Sequence, residues 1–87
     1  MIEIVYKPSF IRTYKKLPLP LKQEVKDKIG LFASDPKHPF LKTHKLSGPL
    51  RGYSSFWVNY EYRIVFEYES KSRAALLIVG TRQVYDK

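Results

Sequence analysis

The chain has 87 residues, 44% of them apolar and 15% aromatic, which is enough for one packed core and too short for two. It contains no cysteine and no run near the roughly 20 apolar residues that cross a bilayer, which excludes a disulfide framework, a thiolate metal site and a membrane-spanning helix. Sixteen Lys and Arg against eight Asp and Glu give a net charge of +8, so a polyanion is the natural partner.

The start, Met1-Ile2-Glu3-Ile4-Val5-Tyr6-Lys7, lacks the basic and long apolar stretches of a secretion signal, and a single cytoplasmic domain over residues 1–87 is expected. Residues 2–6 read as a short strand with Ile2, Ile4 and Tyr6 on one face. Pro8 then opens a helix, where its missing N–H costs nothing, and Phe10, Tyr14 and Leu17 recur at helical spacing to about residue 16. The run Leu17-Pro18-Leu19-Pro20 must interrupt it. A second helix carries Leu21, Val25, Ile29 and Phe32 on one stripe, with Lys22, Glu24, Lys26 and Lys28 turned outward, and Asp35-Pro36 stops it. Lys15, Lys16, Lys22, Lys26 and Lys28 read as solubilising charges on exposed helix faces.

Residues 36–52, with Pro36, Pro39, Gly48, Pro49 and Gly52, read as an extended connection. Lys42, His44, Lys45 and Arg51 cluster there with no acid among them. Three strands follow over residues 53–59, 62–69 and 73–79, and their short turns require them to be antiparallel. The expected fold is α+β: a helical hairpin on a small, mainly antiparallel four-stranded sheet in the order β-α-α-β-β-β. Side chains alternate along a strand, so Ile64, Phe66 and Tyr68 face one way and Arg63, Val65 and Glu67 the other. With the apolar set against the helices, Arg63 is expected on an uncovered face. Phe56 and Trp57 are likewise split between core and open face, which makes Trp57 a candidate stacking platform.

Four segments, Leu41-Lys42-Thr43-His44-Lys45-Leu46-Ser47-Gly48, Gly52-Tyr53-Ser54-Ser55-Phe56, Tyr62-Arg63-Ile64-Val65-Phe66 and Gly80-Thr81-Arg82-Gln83-Val84-Tyr85, together with the helical hairpin, resemble the RelE/YafQ group of toxin–antitoxin endoribonucleases. The resemblance spans nearly the whole chain. It implies a metal-independent, cofactor-free ribonuclease that cleaves mRNA on the ribosome and so inhibits translation, with a cognate antitoxin protein as partner. It also implies that Arg63 is the strand arginine gripping the scissile phosphate. His44 and Lys45 match loop positions of the group, Arg82 its basic site after the last strand, and Tyr85 its C-terminal aromatic on which a base stacks. Many relatives have Trp where this chain has Ser54, and the motif ending in Tyr85 is one residue shorter than usual.

The chemistry is consistent with these residue types. Cleavage by the internal 2′-hydroxyl needs a base, positive charge on the phosphorane and an acid for the 5′-oxygen. Arginine forks two hydrogen bonds onto a phosphate and stays protonated, so Arg63 and Arg82 are clamps first. Imidazoles exchange protons near neutral pH, so His44 is the preferred proton carrier; a lysine, as at Lys45, acts as a base only where crowded cations lower its pKa. Lys42, Arg51 and Trp57 complete the expected RNA-binding set. With two histidines, His38 and His44, and no cysteine, no metal site is expected, and His38, between Lys37 and Pro39, reads as structural. Taken alone, Arg63 could instead pair with Glu61 or Glu67 as an ordinary surface arginine. Two other functions share the fold: a ParE-like toxin that inhibits gyrase by binding it, and an RNA-binding relative whose catalysis has decayed.

Overall fold

Prolines set the helices. In the computed structural model, which describes the backbone of residues 1–85 and the side chains of residues 1–83, α1 spans Pro8–Lys15 and α2 spans Leu19–Ser34, each with proline in its first turn. The strands are β1 (Glu3–Tyr6), β2 (His44–Lys45), β3 (Ser54–Trp57), β4 (Tyr62–Ser70) and β5 (Arg73–Thr81), and a short helix α3 (Arg82–Tyr85) follows directly. They form one sheet in the order β1-β5-β4-β3-β2. β1 runs parallel to β5, and the other pairs are antiparallel.

The expected sheet had four strands and the observed one has five. The segment read as loop contains two 3₁₀ turns, Pro39–Leu41 and Gly48–Leu50, and between them His44 and Lys45 pair with Ser55 and Ser54. A two-residue strand without apolar alternation has no pattern of its own and is created by its neighbour.

The stripe expected on α2 is the core. Leu21, Val25, Ile29 and Phe32 are buried with Phe10, Leu41, Phe56, Ile64, Phe66 and Leu76. Phe32 is its hub, with ring centroids 4.6 Å from Phe56 and 4.7 Å from Phe66. Two of the five solubilising lysines are half-buried rather than fully solvated: Lys22 lies over the Tyr14 ring, and the Lys28 Nζ donates to the Val58 carbonyl at 2.7 Å, tying α2 to the end of β3.

The β4–β5 register shifts between Val65 and Phe66, because Val65 faces Ile78 while Phe66 faces Leu76. Leu77 is thus the extra residue of a bulge, whose carbonyl needs another partner. The Ser9 hydroxyl donates to it, and Thr13 Oγ1 accepts from Val79 N–H at 3.1 Å. Two polar residues of α1 therefore satisfy the irregular stretch of β5 and fix the helix on the sheet.

The second sheet face departs from expectation. Arg63 does lie there, opposite Trp57 and Gly80, with Ser55, Val65 and Ala75 on the same side. Yet Ser55, Val65 and Ala75 are 0% exposed and Arg63 only 2%, so the middle of this face is not open to solvent. α3 packs against β4 and β5. No helix among the described residues is long and apolar enough to cross a membrane.

Candidate functional site

The β3–β4 turn organises one end of the second face. The Asn59 side-chain oxygen accepts from the N–H groups of Glu61 and Tyr62, both at 2.9 Å, which closes the turn locally and lifts Tyr60 outward. The carbonyls of this turn point inward, onto Arg63. Its Nη1 lies 2.8 Å from Asn59 O, 2.9 Å from Tyr60 O and 3.2 Å from Tyr62 O. That nitrogen carries two hydrogens, so the two shorter contacts are the principal bonds and the third shares one of them. The guanidinium stacks on Trp57, with Cζ 4.1 Å from the ring centroid. Arg63 therefore braces the turn and one ring rather than standing exposed as a surface clamp.

The other cations gather on the same aromatics. Lys42 Nζ lies 5.0 Å from the Trp57 centroid, and Arg82 Cζ lies 4.5 Å from that of Tyr60. The Trp57 and Tyr60 rings meet edge to face at 6.1 Å. Arg82 is held at both ends: its N–H donates to Glu61 O at 2.7 Å, and its Nε lies 3.7 Å from Glu61 Oε1. The second contact is an ion pair too long for a hydrogen bond, and Nε has no hydrogen-bond partner among the described residues. Lys42 has φ 46°, the one non-glycine among the described residues with positive φ. Such backbone costs a side-chain-bearing residue roughly 1–2 kcal/mol and is concentrated at functional turns.

His44 faces Ser55 across β2 and β3 and so shares the side of Arg63 and Trp57. From strand spacings of about 4.8 Å across and 3.4 Å along, its Cα is about 12 Å from that of Arg63. Its Nδ1 lies 3.4 Å from Lys42 O, a weak bond that requires the hydrogen on that nitrogen. Between these residues the Ser55 hydroxyl is buried with no partner among the described residues.

The structure brings together Lys42, Trp57, Arg63 and Arg82, with His44 on the same side. It does not bring Arg51 to them, and Lys45 joins only part of the set. Lys45 pairs with Ser54, on the helix-covered side, and borders a cleft that Lys42, His44, Phe66 and Tyr68 also line. Arg51, exposed after the second 3₁₀ turn, precedes the far end of β3, about 10 Å along the strand from Trp57. The Tyr85 side chain lies outside the described residues. His38 has the structural role expected of it: its Nδ1 accepts from Phe40 N–H at 3.1 Å and starts a 3₁₀ turn. Tyr60 is the functional candidate that reading the sequence passed over, although an aromatic next to Asn59 in a turn was visible there as a side chain lifted clear of the sheet.

Among titratable groups, partial desolvation raises the phenol of Tyr68, itself 50% exposed, above its ordinary value of 10.0. No group of three His, Asp or Glu among the described residues could hold a metal ion.

No family model matches this chain, and no curated protein matches it by sequence. Solved structures do. YafQ from E. coli has a TM-score of 0.77 and 18% identity, covering 97% of both chains. The fold is that of the RelE/YafQ-type toxins. A YoeB/ParE toxin from Agrobacterium tumefaciens superposes on it with a TM-score of 0.73 and 20% identity, over 92% of this chain and 98% of that one. The E. coli DinJ–YafQ toxin–antitoxin complex gives a TM-score of 0.75 and 18% identity, over 95% and 94%. In this RelE/YafQ-type fold, the end of β3, the turn, the start of β4 and the start of α3 carry the cation–aromatic cluster.

Proposed function

We propose that the chain is the toxin of a toxin–antitoxin pair, an endoribonuclease that cleaves mRNA on the ribosome without a metal. The observation that carries this is the cluster of Lys42, Trp57, Arg63, Tyr60 and Arg82, three cations interleaved with two aromatic rings at one end of a sheet in a chain of net charge +8. Cations that hold phosphates, next to rings on which bases stack, are what single-stranded RNA requires.

In this reading Arg82 and Lys42 meet the backbone phosphates, and His44 moves protons between the 2′-hydroxyl and the leaving oxygen. Arg63 holds the turn in place and adds positive field beside the scissile phosphate. Lys45 and Arg51 attract RNA at longer range. Tyr85 stacks on a base. The antitoxin is an acidic, partly extended chain that neutralises this surface, as the DinJ–YafQ pairing suggests by analogy.

Cell-free translation of a defined message, with RNA ends mapped, tests it. Cleavage within codons by the wild-type chain, lost with Arg82→Ala and His44→Ala, is the expected result; intact message with a folded chain refutes the nuclease. The burial of Arg63 favours a second reading, gyrase inhibition by protein contact, since a buried guanidinium serves folding without hydrolysis. A gyrase supercoiling assay separates the two.

A further inference from the structure

The two rings of the cluster are not equivalent. Trp57 is half-buried, with Arg63 and Lys42 both lying against its ring. Tyr60 is 62% exposed and is backed by a single cation, Arg82. A tyrosine at a turn tip ordinarily samples several rotamers, and three features restrain this one. The Asn59 side chain closes the turn beneath it, the Trp57 ring meets it edge to face, and the guanidinium supports one face. The ring is therefore presented with an outer surface in solvent, at little further entropic cost on binding. A guanidinium behind it places positive charge within reach of a phosphate attached to whatever stacks in front.

We infer that Tyr60 is a nucleobase-stacking residue, seating the base adjacent to the phosphate held by Arg82. This rests on the RNA reading above and adds a subsite to it. A flat, half-solvated ring beside cations accepts any base by its π-face, with purines favoured because they offer more stacking area. Trp57, already occupied by its own cations, then serves as the wall that keeps Tyr60 upright rather than as the platform expected from the sequence.

The test is binding of a short single-stranded 2′-O-methyl oligoadenylate, which cannot be cleaved by 2′-hydroxyl attack, followed by fluorescence anisotropy. The same sugar–phosphate chain with its bases removed is the control. Tyr60→Ala is expected to weaken oligoadenylate binding by roughly ten- to a hundredfold, the worth of one base–aromatic stack, while leaving the abasic control unchanged. Tyr60→Phe is expected to bind like the wild type. The dependence of affinity on salt should be the same for Tyr60→Ala as for the wild type, since no phosphate contact is lost, whereas Arg82→Ala lowers the slope by about one unit. Equal oligoadenylate affinity in Tyr60→Ala and wild type overturns the stacking role alone. Equal losses on the base-bearing and abasic chains also overturn it, because the ring would then only be supporting Arg82. Failure of the wild-type chain to bind either probe overturns the RNA reading together with this one.

Discussion

Replacing Arg63 by alanine tests whether a residue expected to work on substrate is first a part of the scaffold. The substitution strips two principal hydrogen bonds from the carbonyls of Asn59 and Tyr60 and removes the guanidinium that stacks on Trp57, all at a position only 2% exposed. Losing a bond to a charged donor costs about 1.5–3 kcal/mol. A desolvated cation–π contact adds up to about 2 kcal/mol. These contributions share one side chain and do not add in full, so a net destabilisation of about 3–4 kcal/mol is expected. With a urea slope of about 1–1.5 kcal/mol/M for a small protein, the unfolding midpoint falls by about 2–4 M. Urea titration followed by both circular dichroism and Trp57 fluorescence reads this directly. Arg63→Lys keeps the charge but not the planar fork, and most of the loss should persist. A variant whose midpoint and slope match the wild type within error refutes the bracing role and returns Arg63 to the substrate. If the loss is found, cleavage by Arg63 variants has to be compared at equal folded fraction.

Three further outcomes are expected. Ser55→Ala removes a fully buried hydroxyl that has no partner among the described residues and should leave stability unchanged or raise it by about 1 kcal/mol in thermal unfolding, where a loss beyond that size would reveal a partner. Phe32→Ala empties the hub between Phe56 and Phe66 and should cost about 3–5 kcal/mol by urea unfolding; a cost under about 1 kcal/mol would mean the core collapses around it. Tyr68, edge-on to Phe66 at 5.4 Å, holds its proton more tightly folded than unfolded. Its contribution to stability is therefore complete below the ordinary tyrosine range and lost as pH rises through its raised folded pKa. Subtracting the ultraviolet pH titration of Tyr68→Phe from that of the wild type should leave a phenol that ionises later than an ordinary tyrosine, and one ionising at the ordinary pH contradicts the burial argument.

Much of the architecture was legible in the sequence because it rests on periodicity. Leu21, Val25, Ile29 and Phe32 recur at helical spacing, and each is buried; Pro8 and the Leu17–Pro20 run mark where helices begin and break. Alternation along β4 placed Arg63 on the side away from the helices, where it is found. Alternation says nothing about what else covers that side, and a strand arginine gives no sign that three backbone carbonyls will surround it. β2 was not legible because His44 and Lys45 become a strand only by pairing with Ser55 and Ser54. That short pairing has a functional price: it turns His44 and Lys45, neighbours in sequence, to opposite sides of the sheet. Lys28 illustrates the same limit, since helical spacing shows which way a side chain starts and not that its amine will end on the Val58 carbonyl.

The parallel pairing of β1 with β5 also governs when this protein can exist. Residues 3–6 find their sheet neighbour in residues 73–76, and the helix that follows them is fastened to β5 through Ser9 and Thr13. A ribosome making the chain releases residues 3–6 long before residues 73–76, so the sheet stays incomplete until β5 has emerged. Lys42 and Arg63 emerge before that moment, but Arg82, which backs Tyr60, follows β5 directly. Folding and assembly of the cationic end of the sheet thus both wait for β5 and the residue after it, and a chain truncated before β5 has neither a closed sheet nor a complete cluster.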